Sequence, residues 1–138
     1  MKNTNICICI LSFNNEDFIK KTIYSIGEYS DIWLCDSGSS DRTIEISKKL
    51  GANIMQRKMT IWDAGDQRNW AFEKLKDRYH WILFLDSDEL LTDSLKQEIK
   101  KSLSITKKSF GSIRSIYTIF DKPLKNISID TYHDRLVR

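Results

Sequence analysis

No uninterrupted apolar run in this sequence exceeds six residues: Ile6 to Leu11 is the longest, and Trp81 to Leu85 follows it. A bilayer-spanning helix needs ~20 such residues, so neither run reads as a transmembrane segment. The chain's start also lacks the marks of a secretory signal. The run from Ile6 is too brief and leads into Asn14, Asn15, Glu16 and Asp17 with no small-residue cleavage site. Cysteine is sparse and odd in number. Cys7, Cys9 and Cys35 lie inside apolar segments, which reads as reduced core thiols in a cytoplasmic protein. Cys7 and Cys9 would share one face of a strand, but no His or further Cys cluster stands ready to complete a metal site. Neither sign of charge dominates, 22 basic residues less 19 acidic giving +3, so no polyanionic partner such as a nucleic acid is required. Repeats and low-complexity tracts are missing, and proline occurs once, at Pro123. No Gly-x-Gly-x-x-Gly follows the first apolar run, which sets aside a dinucleotide-dependent oxidoreductase.

What is present suffices for a globular unit. At 138 residues the length is that of one domain, 1–138, and about 68% of the unfolded surface of such a chain is buried on folding. Short apolar runs alternate with segments of helical period, the pattern of strand–helix units around a mostly parallel sheet. Ile6 to Leu11 is the first strand, and Ile19, Ile23 and Ile26 mark the helix after it. Ile32 to Cys35 is the second strand, followed by a helix over about Arg42 to Leu50 that Gly51 closes. Asn53 to Met55 is a short third strand. Gln67 to Tyr79 is helical, Trp81 to Leu85 is the fourth strand, and Leu91, Leu95, Ile99 and Leu103 line another helix. Ser112 to Phe120 is β-rich, and Ile127 to Val137 alternates weakly, so mixed strands are expected at the C-terminal end. The fold class is thus α/β, a Rossmann-like sheet flanked by helices.

In such sheets ligands bind beyond the carboxyl ends of the strands. Those positions are polar and acidic here: Ser12-Phe13-Asn14, Asp36-Ser37-Gly38-Ser39 and Asp86-Ser87-Asp88-Glu89. Three carboxylates within four residues repel one another unless a cation shares them or water surrounds them. Asp86 and Asp88 offer hard oxygen ligands suited to Mg²⁺ or Mn²⁺ bound together with substrate phosphates. The plain alternative is that Ser87 or Asp88 caps the next helix. Asp36 can accept a hydrogen bond from a nucleobase or ribose and Gly38 permits a close turn; the alternative is a turn capped by Ser39 or Ser40. Phe13 can stack on a base or belong to the core. Arg68 serves the site or is a solvated helix-face charge. His80 and His133 have no partners at ligand spacing.

The segments Ile8 to Glu16, Asp36 to Thr43, Gln67 to Ala71 and Asp86 to Glu89, in this order and at these spacings, resemble glycosyltransferase family 2, within it the bacterial lipooligosaccharide-type glucosyltransferases. The resemblance is dense from Ile6 to about Leu95. It implies a GT-A fold, a nucleotide-diphosphate sugar donor, UDP-sugar foremost, a divalent metal (Mn²⁺ or Mg²⁺) and transfer with inversion to a glycan, lipid-linked or protein acceptor. It places Ser12, Phe13, Asn14, Asp36, Gly38, Arg68, Asp86 and Ser87 on the donor, with Asp86 and Asp88 facing the metal. The expected setting is cytoplasmic, at the inner face of the membrane, with peripheral association. An inverting transfer also needs a general base for the acceptor hydroxyl, and Asp130 and Asp134 are the downstream candidates. Family members run on past the Arg135-Leu136 segment, so part of the acceptor region is expected to be missing. The alternative function is a non-catalytic nucleotide-sugar-binding module or an inactive, shortened transferase domain.

Overall fold

The two longest apolar runs lie side by side at the centre of the sheet, where both faces of a strand are covered and every side chain has to be apolar. The computed structural model describes residues 5–61, 63–119, 122–123 and 131–138. Its elements are β1 (Ile6–Ser12), α1 (Ile19–Ile26), β2 (Asp31–Asp36), α2 (Thr43–Lys49), β3 (Asn53–Gln56), α3 (Ala64–Leu75), β4 (Trp81–Asp86), α4 (Asp93–Leu103), β5 (Phe110–Ser115), β6 (Thr118–Ile119), β7 (Lys122–Pro123) and β8 (Thr131–Val137). The main sheet has the order β3-β2-β1-β4-β8-β5, and β6 and β7 form a separate small ribbon. β1, β2, β3 and β4 are parallel, whereas β8 runs antiparallel to both β4 and β5. The α/β architecture with mixed strands at its C-terminal end is therefore the one expected.

Alternate residues of the central strands supply two cores. Ile6, Ile8, Ile10, Leu34 and Leu83 pack with Ile19, Ile23 and Ile26 of α1 and Ile99 of α4. On the opposite face Cys7, Cys9, Cys35, Ile82 and Phe84 lie beneath Ala71 and Leu75 of α3. All three cysteines are free and buried. Burial pushes the Cys7 thiol up to about 12 and raises Cys9 as well, which keeps these thiols protonated and inert.

Local chemistry moves some boundaries. α3 starts ahead of Gln67 because Asp63 caps it, its side chain accepting from the Asp66 N–H at 3.0 Å. It ends at Leu75 rather than Tyr79: the chain turns there, and the Tyr79 hydroxyl instead accepts from Trp33 Nε1 (3.1 Å) and donates to Asp31 Oδ2 (3.0 Å). α2 does close at Gly51, at φ +84°, where Gly51 N–H donates to Lys48 O and Ala52 N–H to Ser47 O in a Schellman arrangement. Residues 127–130 of the alternating C-terminal stretch, Asp130 among them, lie outside the described residues. Among the described residues no helix is long and apolar enough to cross a membrane.

Candidate active site

Strand register brings three of the polar segments to one edge. Ser12 at the end of β1 stands opposite Asp36 of β2, and Leu11 stands opposite Asp86 of β4. The chain runs outward to β2 and β3 on one side of β1 and to β4, β8 and β5 on the other, so these ends flank the sheet's switch point, the place where open α/β sheets bind ligands.

One side of the edge is a laced floor. Asp36 is completely buried. Its Oδ1 accepts from the N–H groups of Gly38 (2.9 Å) and Ser39 (2.8 Å), and its Oδ2 from the hydroxyls of Ser12 (3.0 Å) and Ser39. A carboxylate offers about four lone-pair sites, and all are occupied within its own loops. Asn14 takes a positive φ of 51°, which asparagine tolerates better than most residues. Its N–H donates to Ser39 Oγ and its Oδ1 accepts from Ser40 N–H, each at 2.8 Å. Asp41 and Glu16 each accept one more bond between the two loops, Asp41 Oδ2 from Glu16 N–H and Glu16 Oε2 from Arg42 N–H.

The other side is ionic. Asp86 receives Arg135 in a two-pronged contact, Nη1 to Oδ1 at 3.2 Å and Nη2 to Oδ2 at 2.8 Å, and Arg68 Nη2 to Oδ1 at 3.1 Å. Arg135 Nη2 also reaches Glu89 Oε1 at 3.0 Å, while Glu89 Oε2 accepts from the Asp86 N–H at 2.8 Å. Burial alone would raise the Asp86 carboxyl, but the hydrogen bonds and charge of Arg135, then the charge of Arg68, outweigh it and hold it below its usual value. Burial prevails at Glu89, which is raised despite the Asp86 N–H and Arg135. Burial disfavours the Arg135 cation too, yet Asp86 and Glu89 keep it charged.

Arg135 reaches this position through a backbone irregularity. Pairing of β5 with β8 jumps from Gly111–Leu136 to Ser112–Asp134, which makes Arg135 the extra residue of a β-bulge. Bulges re-aim side chains in this way beside sites. The side chain of Arg135 is 7% exposed.

Several plain alternatives fail on this geometry. Asp88 is exposed and makes no hydrogen bond among the described residues, and α4 is capped by Thr92 rather than by Ser87 or Asp88. Neither Ser39 nor Ser40 caps α2. Phe13 is 51% exposed just past the end of β1 and not in the core. Arg68 is ion-paired to Asp86. Ser87 is buried, and its carbonyl accepts from Thr22 Oγ1 at 2.7 Å, which ties the acidic turn to α1. Gly38, at φ +106°, permits the turn that presents two N–H groups to Asp36. Asp134 accepts a hydrogen bond from the Ser112 hydroxyl. It lines a cleft of about 400 Å³ with Arg68, Asn69, Phe72, Phe84 and Val137.

Sequence reasoning names Gln67 and Arg135 only as members of segments, and gives neither them nor Glu89 and Ser37 a part in the site. Gln67 is fully buried with Nε2 donating to Cys35 Sγ at 3.2 Å. Among the described residues, Gln67 Oε1, Ser37 Oγ and the Nε atoms of Arg68 and Arg135 are buried without a hydrogen-bond partner. The signal for Arg135 was an arginine inside a strand pattern one residue from a buried leucine, since a buried cation needs acids beside it.

A divalent cation suits part of this arrangement. Asp88 presents an exposed carboxylate, whereas both oxygens of Asp86 are engaged by guanidinium groups. Among the described residues no group of three or more His, Cys, Asp or Glu side chains could hold an ion alone. An ion held here would have to share one or two carboxylates with water and substrate phosphates.

The S. aureus protein TarS, as its 1–349 fragment, has a similar fold, with a TM-score of 0.59 at 21% identity over 72% of this chain and 31% of that one. The same fragment crystallised with UDP-GlcNAc matches with a TM-score of 0.56 at 17% identity, covering 85% of this chain and 41% of that one. An uncharacterized glycosyltransferase of Rickettsia bellii (strain RML369-C) is 30% identical over 92 residues, 66% of this chain and 30% of the relative. The chain thus spans about a third of the length of these relatives. The family model described as glycosyl transferase family 2 matches residues 7–132, nearly the whole chain and all four of the ordered motifs. On that match the chain belongs to glycosyltransferase family 2.

Proposed function

We propose that this chain binds a nucleotide-diphosphate sugar, UDP-sugar foremost, and serves an inverting transfer of its sugar to a glycan, lipid-linked or protein hydroxyl. The observation that carries the reading is the convergence of Ser12, Asp36 and Asp86 at one strand edge, with the exposed carboxylate of Asp88 two positions on. TarS, similar in fold, was crystallised with UDP-GlcNAc, which agrees with a UDP-sugar donor.

Phe13 offers an exposed ring on which a base can stack. The Asp36 loop holds Phe13 and Asn14 in place. Among the described residues the buried Nε–H groups of Arg68 and Arg135 have no acceptor, and guanidinium groups favour an anion such as the diphosphate. Asp88 is the residue that would hold Mn²⁺ or Mg²⁺, and Asp86 would act through its arginines. The ion, when bound, neutralises charge on the leaving diphosphate. Asp134 is the base this reading assigns, because it stands in the cleft that Arg68 also lines.

Calorimetric titration with UDP, with and without Mn²⁺, tests the donor reading: binding is expected, and tighter with the ion. No binding under either condition would sink it. Asp134→Asn should slow donor hydrolysis about 10²–10⁴-fold at unchanged UDP affinity, the usual weight of general-base catalysis. Unchanged hydrolysis would remove Asp134 from the mechanism. Absence of turnover in the parent chain would favour the binding-module reading.

A further inference from the structure

The turn Asp86–Glu89 carries three carboxylates, Asp86, Asp88 and Glu89, against two guanidinium groups, Arg68 and Arg135. Of the two arginines, Arg135 is the one that closes a ring. Its fork spans both oxygens of Asp86, one nitrogen bridges on to Glu89, and Glu89 returns to the backbone of Asp86. The bulge in β8 directs the side chain to this place, and burial keeps water from competing for it.

A carboxylate engaged in this way is a poor metal ligand, because both oxygens already accept charge-assisted hydrogen bonds. We propose that Arg135 is a positioning residue that withholds Asp86 from free cations, so that a divalent ion binds at this turn only together with a diphosphate. The proposal rests on the donor reading for the diphosphate, but its core, the masking of Asp86, concerns the ion alone. The charge count supports it. With both arginines in place the five groups sum to −1, and a lone divalent ion finds one carboxylate, Asp88, that is unpaired among the described residues. Without Arg135 the sum is −2 and Asp86 gains a free oxygen. Asp86 then joins Asp88 as an open ligand, Glu89 also losing its contact with Arg135, and attraction between unit charges at such range is large even at an effective dielectric near 20.

The probe is Mn²⁺ alone, followed by electron paramagnetic resonance of the free ion on the full 138-residue chain, with folding checked by circular dichroism. Wild type is expected to bind the ion weakly. Arg135→Gln should bind it at least about tenfold more tightly, and adding Asp86→Asn to that variant should cancel the gain. A merely structural role for Arg135 predicts no gain of affinity. Should the Gln variant fail to fold, Arg135→Lys decides the matter: a lysine keeps the charge but not the two-pronged contact. A smaller gain, about threefold, is then expected. Affinity for Mn²⁺ unchanged in each variant that folds would overturn the proposal, as would a gain that survives Asp86→Asn. Failure of wild type to bind UDP in the presence of Mn²⁺ would refute the donor reading while leaving the ion-only comparison to stand or fall by itself.

Discussion

Asp88→Ala is expected to abolish the manganese-dependent part of UDP binding and to leave the stability of the chain within about 0.5 kcal/mol of wild type, the range of exposed substitutions that break no contact. Asp88 is exposed and makes no hydrogen bond among the described residues, so its removal creates neither a cavity nor an orphaned partner. Its charge acts on two neighbours in opposite senses, disfavouring ionised Glu89 and favouring the Arg135 cation. The effect on the ion is different. Asp86 is engaged by Arg68 and Arg135, which leaves Asp88 as the carboxylate able to join water and phosphate oxygens around a hard cation. Titrating UDP into the variant with and without Mn²⁺ should give one affinity, equal to that of wild type without the ion. A metal-dependent difference as large as that of wild type would show that Asp88 is not the ligand.

The core strands and the polar segments at their ends were legible in the sequence because both rest on local chemistry. Ile6 to Leu11 and Trp81 to Leu85 are continuous apolar runs, and a strand covered on both faces leaves no other pattern. Strands of one parallel sheet, with their polar residues just past the carboxyl ends, then share an edge, and this brings Ser12, Asp36 and Asp86 together although 50 positions of sequence separate the two aspartates. Pairings set by distant parts of the chain were not legible. Arg135 joins Asp86 across 49 positions through a strand that runs opposite to its neighbour and carries a bulge, and no local spacing encodes that displacement. The same holds at smaller scale for α3. Asp63 caps it from outside the apolar stripe that marks the helix, so the periodicity of Phe72 and Leu75 placed the start too late. At Asp36 the residue type was informative and its use was not. An aspartate before Ser-Gly-Ser can serve a ligand or its own turn, and only coordinates show its four acceptor sites filled.

Asp36→Ala should cost about 3 kcal/mol of stability and weaken UDP binding at least about tenfold, whereas Asp36→Asn should cost about 1 kcal/mol, according to how many buried groups lose a partner. The alanine variant leaves the N–H groups of Gly38 and Ser39 and the hydroxyls of Ser12 and Ser39 without their acceptor. Part of that loss is softened because the glycine and the second serine are half-buried, so the sum stays below four full penalties. Ser39 also accepts the Asn14 N–H, so freeing its hydroxyl loosens the β1 loop and the exposed Phe13 with it. Asparagine keeps an oxygen for the two N–H groups and turns an amide toward the two hydroxyls, which can reverse and accept. What it loses is the assistance of charge. Urea denaturation of both variants, paired with UDP calorimetry, separates the two roles open to this residue. If Asp36 acts by anchoring the loop, affinity follows stability, and asparagine loses no more than about threefold while alanine loses most of it. A fall in affinity for asparagine as large as that for alanine, at nearly unchanged stability, would show instead that the carboxylate touches the nucleotide itself and must release Ser12 or Ser39 to do so.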